Sequence, residues 1–314
     1  MKIPVGILGA SGLIGQNYLA MLQDHPWFEI GCLATSKTRS HEKSVDPSQF
    51  MMKNYPVSSL EDFPHLPIIF SALPDLIAAK IEKQLANQGS WVISSASYHR
   101  KTHPMIIPEI NPHHIQGNHL ITKPNCAIQS FLLPLAPLHK IAQIRSLAVT
   151  TLQATSGTGY PGIAFSKIHD NILPYIEGEE EKIESEPLKI LEADFPISAH
   201  CNRVPIFHGH MVCVSVSFNK QLTFDEILSI WHQPSSLHLP SAPKFPIVYH
   251  HSPERPQPQL DRDYEKGMGV SIGRLRSCPL LDWRFTALSH NAIRGGAGNG
   301  ILIAEYLKEA GYLG

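Results

Sequence analysis

Cys126 is the first residue in this chain that could carry chemistry. It stands in Pro124-Asn125-Cys126, between an apolar run and a helix-forming one. A thiol at the start of a helix meets the positive end of the helix dipole, which favours the thiolate and makes a candidate nucleophile. Read alone, such a cysteine is more often a small core residue. A second candidate lies near the N-terminus, in Gly9-Ala10-Ser11-Gly12-Leu13-Ile14-Gly15. Glycines between a strand and a helix let a diphosphate approach the backbone N–H groups, so this turn reads as a dinucleotide cradle. Its G-x-x-G-x-x-G spacing is weak evidence without the flanking strand and helix. About 20 residues further on, where an NAD site carries a carboxylate for the ribose hydroxyls, the chain has Thr35-Ser36-Lys37-Thr38-Arg39. Hydroxyls and cations there suit a 2′-phosphate, so Ser36, Lys37 and Arg39 point to NADP as the cofactor. The third candidate, His208-x-His210, has the spacing of a zinc pair on a strand. No third ligand stands at suitable spacing, and no metal is assigned.

The elements that must position these residues follow from periodicity. Ile3 to Leu8 predicts a short buried strand, and the following helix carries Tyr18, Leu19, Met21 and Leu22 on its apolar side. Apolar runs at Glu29 to Ala34, Ile68 to Leu73, Trp91 to Ser94 and His119 to Thr122 alternate with the helical stretch Pro74 to Asn87. That alternation predicts an α/β fold with a Rossmann-type doubly wound parallel sheet. From Ser146 onward the strands lengthen and alternate, as in Leu147 to Ala154 and Met211 to Phe218, which suits a mixed sheet in an α+β domain. We expect a cofactor-binding domain over 1–123 and a second domain over 124–294. A C-terminal helix over 295–314 is expected to return to the first. Pro234 to Pro258 reads as an exposed loop or arm.

Composition narrows the classes of function. The chain has 314 residues, 43% of them hydrophobic and 17% charged, long enough for two domains with a cleft between them. Lys+Arg of 26 against Asp+Glu of 27, without a long like-charged block, argues against a nucleic-acid partner. Proline interrupts the longest apolar runs, so no membrane span is expected. The N-terminus lacks the apolar core and cleavage site of a signal peptide, which suits the cytoplasm. The five cysteines include no C-x-x-C pair and give no disulfide framework.

Further segments turn these candidates into a resemblance: Thr151 to Gly162, Gly178-Glu179-Glu180-Glu181-Lys182, Asn202-Arg203-Val204-Pro205 with Gly209-His210, and Ser289 to Gly295. Together with the cysteine and glycine motifs, and in this order, they resemble aspartate-semialdehyde dehydrogenase of the archaeal and fungal-type branch almost end to end. The resemblance implies a dinucleotide-binding domain, an α+β catalytic and dimerisation domain, and a homodimer or homotetramer. It implies NADPH-dependent reductive dephosphorylation of L-4-aspartyl phosphate to L-aspartate 4-semialdehyde. That reaction opens lysine, diaminopimelate, threonine and methionine biosynthesis.

Residue by residue, the resemblance implies Cys126 as nucleophile, His210 as acid/base and Gln153 beside them. It implies Arg203 for the substrate carboxylate, Glu179 for its ammonium, and Lys182, Arg100 and Asn125 for its phosphate. The chemistry suits these types: a thiol expels phosphate to give a thioester, which accepts hydride far more readily than a carboxylate. Backbone N–H groups after Cys126 are expected to face the oxyanion. The cofactor contacts implied are Gly9, Ser11, Gly12, Leu13 and Ile14, the Ser36-Lys37-Arg39 group, and Ser156, Gly157 and Asn291. The chain departs from relatives at Ala127, where serine or threonine is usual, and at Thr158, Gly296 and Asn299. The segment from Asp225 to His250 is also shorter. Competing readings are an N-acetyl-glutamyl-phosphate reductase, a malonyl-CoA reductase and a non-catalytic NADP-binding sensor. Lys182 and Arg100 argue against the coenzyme A substrate, and Glu179 against the N-acetylated one.

Overall fold

The computed structural model describes residues 1–35, 52, 54–159 and 162–313. Six strands form the first sheet: β1 (Ile3–Leu8), β2 (Phe28–Ala34), β3 (Val57–Ser58), β4 (Ile68–Ser71), β5 (Trp91–Ser94) and β6 (Leu120–Thr122). Their order is β3-β2-β1-β4-β5-β6 and every pairing is parallel. Parallel strands need crossovers that cover both faces, which is why β4, β5 and β6 are buried at every position. Val5 and Ile7 enter one core with α1 (Leu13–Leu22), while the alternate residue Leu8 enters a second core with α2 (Asp75–Asn87). Strand order reverses between β1 and β4. In such sheets the crevice at the carboxyl ends of those strands binds ligands.

The second sheet is mixed. Its strands are β7 (Ile144–Gln153), β8 (Ile197–Arg203), β9 (His210–Phe218), β10 (Ile247–His250), β11 (Val270–Ser277) and β12 (Trp283–Ser289), in the order β10-β11-β12-β9-β7-β8. Burial alternates along β7, because only one face is packed. That face takes α3 (Ile128–Ala142), α4 (Glu179–Leu191) and α5 (Phe224–Trp231), with Phe131, Ile183 and Trp231 in the shared core.

The chain then returns to the first sheet. A wide helical turn, Ile293–Ala297, leads into α6 (Gly298–Glu309), whose Ile301, Ile303, Ala304 and Leu307 complete the core beside α1. Arg294 is fully buried and bridges the parts of the molecule: its Nη1 and Nη2 donate to Glu109 at 2.7 and 2.8 Å, and its Nε to Gln129 at 2.7 Å. The proline-rich segment is not the free arm that its composition suggests. Leu239 is buried against Met268 and Leu302, Ser241 donates from N and Oγ to Glu305, and Ile247–His250 pairs with β11 as an edge strand. A few apolar anchors and one buried carboxylate hold it, and proline content does not report them.

Candidate active site

The turn after β1 offers its ligand a backbone. Gly9 has φ of +74°, and a Cβ there would lie 2.7 Å from the Ala72 carbonyl oxygen, so no other residue fits without displacement. Gly12 begins α1 with no side-chain cap and no acidic residue in the first turn, which leaves the positive end of the helix open. A dinucleotide diphosphate fits such a cradle. Ser11, Gly12, Leu13 and Ile14 line one end of a cavity of about 640 Å³, and its far end is lined by Cys126, Gln153, Glu179, Lys182, Arg203 and Arg100. Ser36, Lys37 and Arg39 lie outside the described residues.

At the far end the side chains hold one another. Asn125 turns the chain from β6 into α3: its Oδ1 accepts the Ala127 N–H at 2.9 Å, which caps the helix start and leaves Cys126 facing the cavity. Gly295 presses against the same turn, and a Cβ there would stand 2.7 Å from Cys126 Cβ. Cys126 Sγ lies 3.1 Å from Nε2 of His210, the first residue of β9. The Ala154 N–H donates to His210 Nδ1 at 3.0 Å, so the neutral ring keeps its proton on Nε2 and directs it at the sulfur.

Glu179, the first residue of α4, gathers three donors. Its Oε2 accepts from Asn125 Nδ2 at 2.7 Å and Gln153 Nε2 at 3.0 Å, and its Oε1 from Lys182 Nζ at 2.9 Å. Despite burial, the Lys182 ammonium and these hydrogen bonds hold its carboxyl below the usual range, so it is ionised at neutral pH. Arg203, at the end of β8, donates from Nη1 to the Ala154 carbonyl at 2.8 Å.

Electrostatics departs from the sequence expectation at the thiol. Burial, reinforced by the Glu179 carboxylate, pushes Cys126 up to about 12, so desolvation outweighs the helix dipole in the free enzyme. Burial, with the Arg203 guanidinium adding to it, pushes His210 down to about 3. The resting pair at neutral pH is therefore neutral thiol and neutral imidazole.

The expected residues come together with reassignments. Ala127 and Ile128 N–H groups are taken by Asn125, through its side chain and its carbonyl, so they are not free for an oxyanion. Asn125 donates to Glu179 rather than outward, and Gln153 spends its amide on Glu179 and Thr151 Oγ1. Asn291 lines the cavity, but its Oδ1 accepts the Gly209 N–H at 2.9 Å and its Nδ2 donates to Ser156 Oγ at 2.8 Å, locking the Ser156-Gly157 turn against β9. His208 points to Ser156 Oγ at 2.9 Å, away from the thiol, so His208-x-His210 makes no metal pair. Among the described residues one cluster has metal spacing, His113, His114 and Glu192, and it does not line the cavity. Asn111 Nδ2 donates to His114 Nδ1 at 3.0 Å, so the neutral ring turns an N–H rather than a lone pair toward Glu192.

Sequence reasoning missed Lys123 and Glu186. Lys123 lines the cavity with its Nζ donating to the Gly296 carbonyl at 2.8 Å, and burial pushes it down to about 7. Its only signal in the chain was its place three residues before the cysteine. Glu186 continues the helical spacing Glu179, Lys182, Glu186, which was legible but was read no further than Lys182.

Comparison with known proteins agrees with this arrangement. Residues 4–118 match the semialdehyde dehydrogenase NAD binding domain, and residues 135–294 match the semialdehyde dehydrogenase dimerisation domain. Aspartate-semialdehyde dehydrogenase of Archaeoglobus fulgidus is 36% identical over 98% of both chains. That of Schizosaccharomyces pombe is 37% identical over 98% of this chain and 99% of the relative. The crystal structure of aspartate semialdehyde dehydrogenase with NADP from Candida albicans superposes with a TM-score of 0.86 at 33% identity, covering 98% of this chain and 99% of that one.

Proposed function

The chain belongs to the aspartate-semialdehyde dehydrogenase family of oxidoreductases, and we infer that its cofactor is NADP, as in the Candida albicans structure. From that premise we propose that it converts L-4-aspartyl phosphate to L-aspartate 4-semialdehyde, reversibly with phosphate. The observation that carries the reading is Cys126 Sγ at 3.1 Å from His210 Nε2, in a cavity that also opens on the glycine-rich helix start.

In the first half-reaction the Cys126 sulfur attacks the acyl carbon and the C–O bond to phosphate breaks. The thiol proton balances the departing phosphate as its monoprotonated form. His210 is poised to move that proton: its Nε2–H passes to the phosphate oxygen as the thiol proton replaces it. Ser11, Gly12, Leu13 and Ile14 would hold NADPH, which would supply the hydride for reduction of the thioester. His210 then gives its Nε2 proton to the sulfur as the aldehyde leaves, and a proton taken up from solvent restores the neutral ring, the one proton that the reduction consumes. The backbone N–H of Cys126 faces its own sulfur, beside where the acyl oxygen must sit, and we assign the oxyanion to it. Arg203 is assigned to the substrate carboxylate, and Lys182 and Arg100 to the phosphate.

The ionised Glu179 supports a substrate with a free ammonium over an N-acetylated one. We assign residues 1–123 with 295–314 to the cofactor unit and 124–294 to catalysis and association, and give Ser36, Lys37 and Arg39 the recognition of the 2′-phosphate. The dimerisation match supports a homodimer or a homotetramer. Five free cysteines suit a reducing cytoplasm, and among the described residues no helix is long and apolar enough to cross a membrane.

The test is phosphate-dependent reduction of NADP with L-aspartate 4-semialdehyde, beside N-acetyl-glutamate semialdehyde and malonate semialdehyde with coenzyme A. Turnover with the first alone is expected. Equal or better turnover with either of the others overturns the substrate assignment.

A further inference from the structure

Helix α4 carries Glu179, Lys182, Glu186 and Lys189 at spacings of three, four and three, one stripe of alternating charge along a single face. The substrate accounts for the first two. The last two do not line the cavity, yet Glu186 is only 6% exposed. Its two oxygens grip two different segments. Oε1 accepts from Arg100 Nη1 at 2.9 Å, and Oε2 accepts the backbone N–H of Asn125 at 2.6 Å, one residue before the nucleophile. One turn on, Lys189 Nζ donates to the carbonyls of Arg100 and His103 at 2.5 and 2.7 Å. Arg100 Nη2 donates to the Ser95 carbonyl at 3.2 Å, and its buried Nε has no partner among the described residues.

A guanidinium has five N–H groups. Glu186 and Ser95 take one each and fix the plane of the fork, which leaves N–H groups for a ligand, and Arg100 lines the cavity. A carboxylate in this place does two things. It aims the cation and ties it to the nucleophile turn, and its charge offsets part of the attraction that the cation exerts on an anion.

We propose that Glu186 is a positioning residue that aligns Arg100 with the Cys126 turn and, by opposing the charge of Arg100, keeps phosphate from binding too tightly to leave. The cycle demands this balance. The phosphate released on thioester formation must depart in one direction and be captured in the other, at the same cation. Glu186 is the group that sets how strongly Arg100 holds it. This inference rests on the assignment of Arg100 to phosphate.

The test uses E186Q, which keeps the shape and one acceptor but removes the charge, and reads binding of inorganic phosphate to the cofactor-free protein by calorimetry. The Kd for phosphate is expected to fall about three- to tenfold, because a nearby negative charge is gone. kcat is expected to fall at least about tenfold, because the Asn125-Cys126 turn is held less well and phosphate leaves more slowly. Tighter phosphate with slower turnover is a signature that simple loosening of the fold does not give. Unchanged or weaker phosphate binding in E186Q overturns the proposal.

K189M is the comparison variant, because it loosens the Arg100 backbone and leaves the guanidinium paired. Its thermal stability is expected to fall without tighter phosphate. If K189M tightens phosphate as E186Q does, the effect belongs to general loosening and the proposal fails. R100M separates the two levels: if it binds phosphate as the unaltered protein does, the phosphate assignment itself is wrong and Glu186 falls with it. Loss of binding in R100M with no gain in E186Q overturns the role of Glu186 alone.

Discussion

The two ends of the cavity are built from different materials. At the turn from Gly9 to Gly15 the protein presents backbone: an uncapped helix start, a glycine at positive φ and no acidic side chain in the first turn. At Cys126 it presents side chains that already satisfy one another. Glu179 collects Asn125, Gln153 and Lys182, while Glu186 collects Arg100 and the Asn125 N–H. At the first end the N–H groups of Gly9, Ala10 and Gly12 are held by the Ala34 and Gly9 carbonyls, which fixes the turn, and the helix start beyond it has no side-chain cap. The second holds charged groups in balance, and a substrate must join or displace existing pairs. A preorganised network of this kind needs little reorganisation during reaction, whereas a backbone cradle needs only geometry.

The comparison predicts which changes abolish chemistry and which only weaken binding. The largest effect is expected for C126S, which keeps the pairs around Glu179 but removes the soft nucleophile. Its kcat should fall by at least about 10⁴-fold while NADPH still binds, measured by turnover and by fluorescence titration of the cofactor. Retained turnover would end the nucleophile assignment.

G295A comes next. Its Cβ would stand 2.6 Å from the Cys126 carbonyl oxygen and 2.7 Å from Cys126 Cβ, so the turn bearing the sulfur must move. A displacement near 1 Å costs on the order of 10²-fold in rate. Alkylation of the thiol and NADPH binding, measured side by side, should show the first altered and the second nearly unchanged.

G9A sharpens the contrast from the other end. Strain at φ of +74° and a Cβ 2.7 Å from the Ala72 carbonyl oxygen should raise the KM for NADPH by roughly tenfold. The KM for the semialdehyde should change little, and a parallel rise in both would show that the two ends are not separable.

The smallest effects are those of pH on the free protein. Burial holds Cys126 at about 12, so the rate of its alkylation should climb about tenfold per pH unit from pH 7 to 10 without levelling near 9. His210 is held at about 3. Above an unfolded value near 6.5, both the folded and the unfolded chain carry it neutral, and stability does not depend on it. Below that pH the unfolded chain takes up a proton that the folded one refuses, so stability falls with falling pH down to about 3. The slope is at most about 1.4 kcal/mol per pH unit. Chemical denaturation of H210N should show a shallower acid limb, and an unchanged limb would remove His210 from this account.

The same division governed what could be read from the chain. The glycine turn was legible because its signal is local: a buried strand, three glycines and a helix are consecutive. The identities of Cys126, Glu179, Arg203 and His210 were legible only as a set, since each alone resembles a core cysteine, a charged helix start, a surface ion pair or a satisfied histidine. Their partners were not legible. That Asn125 and Gln153 serve Glu179, that Asn291 braces Ser156, and that Glu186 joins Arg100 to the nucleophile turn are contacts between segments 26 to 135 residues apart. The proline-rich segment failed for the same reason, its seat on α6 being set by Leu239 and Ser241 meeting Leu302 and Glu305.

What the sequence by itself determined is the periodicity of both sheets, the cofactor turn and the types of residue that carry the chemistry, because those depend on neighbours within a strand, a turn or a helix. Only the tertiary structure decided the protonation of the thiol and imidazole and the pairing of each charge. Desolvation and Coulomb attraction act through space, and the same thiol at a helix start that would favour a thiolate in water is held as a neutral acid once Glu179 and the packed walls surround it.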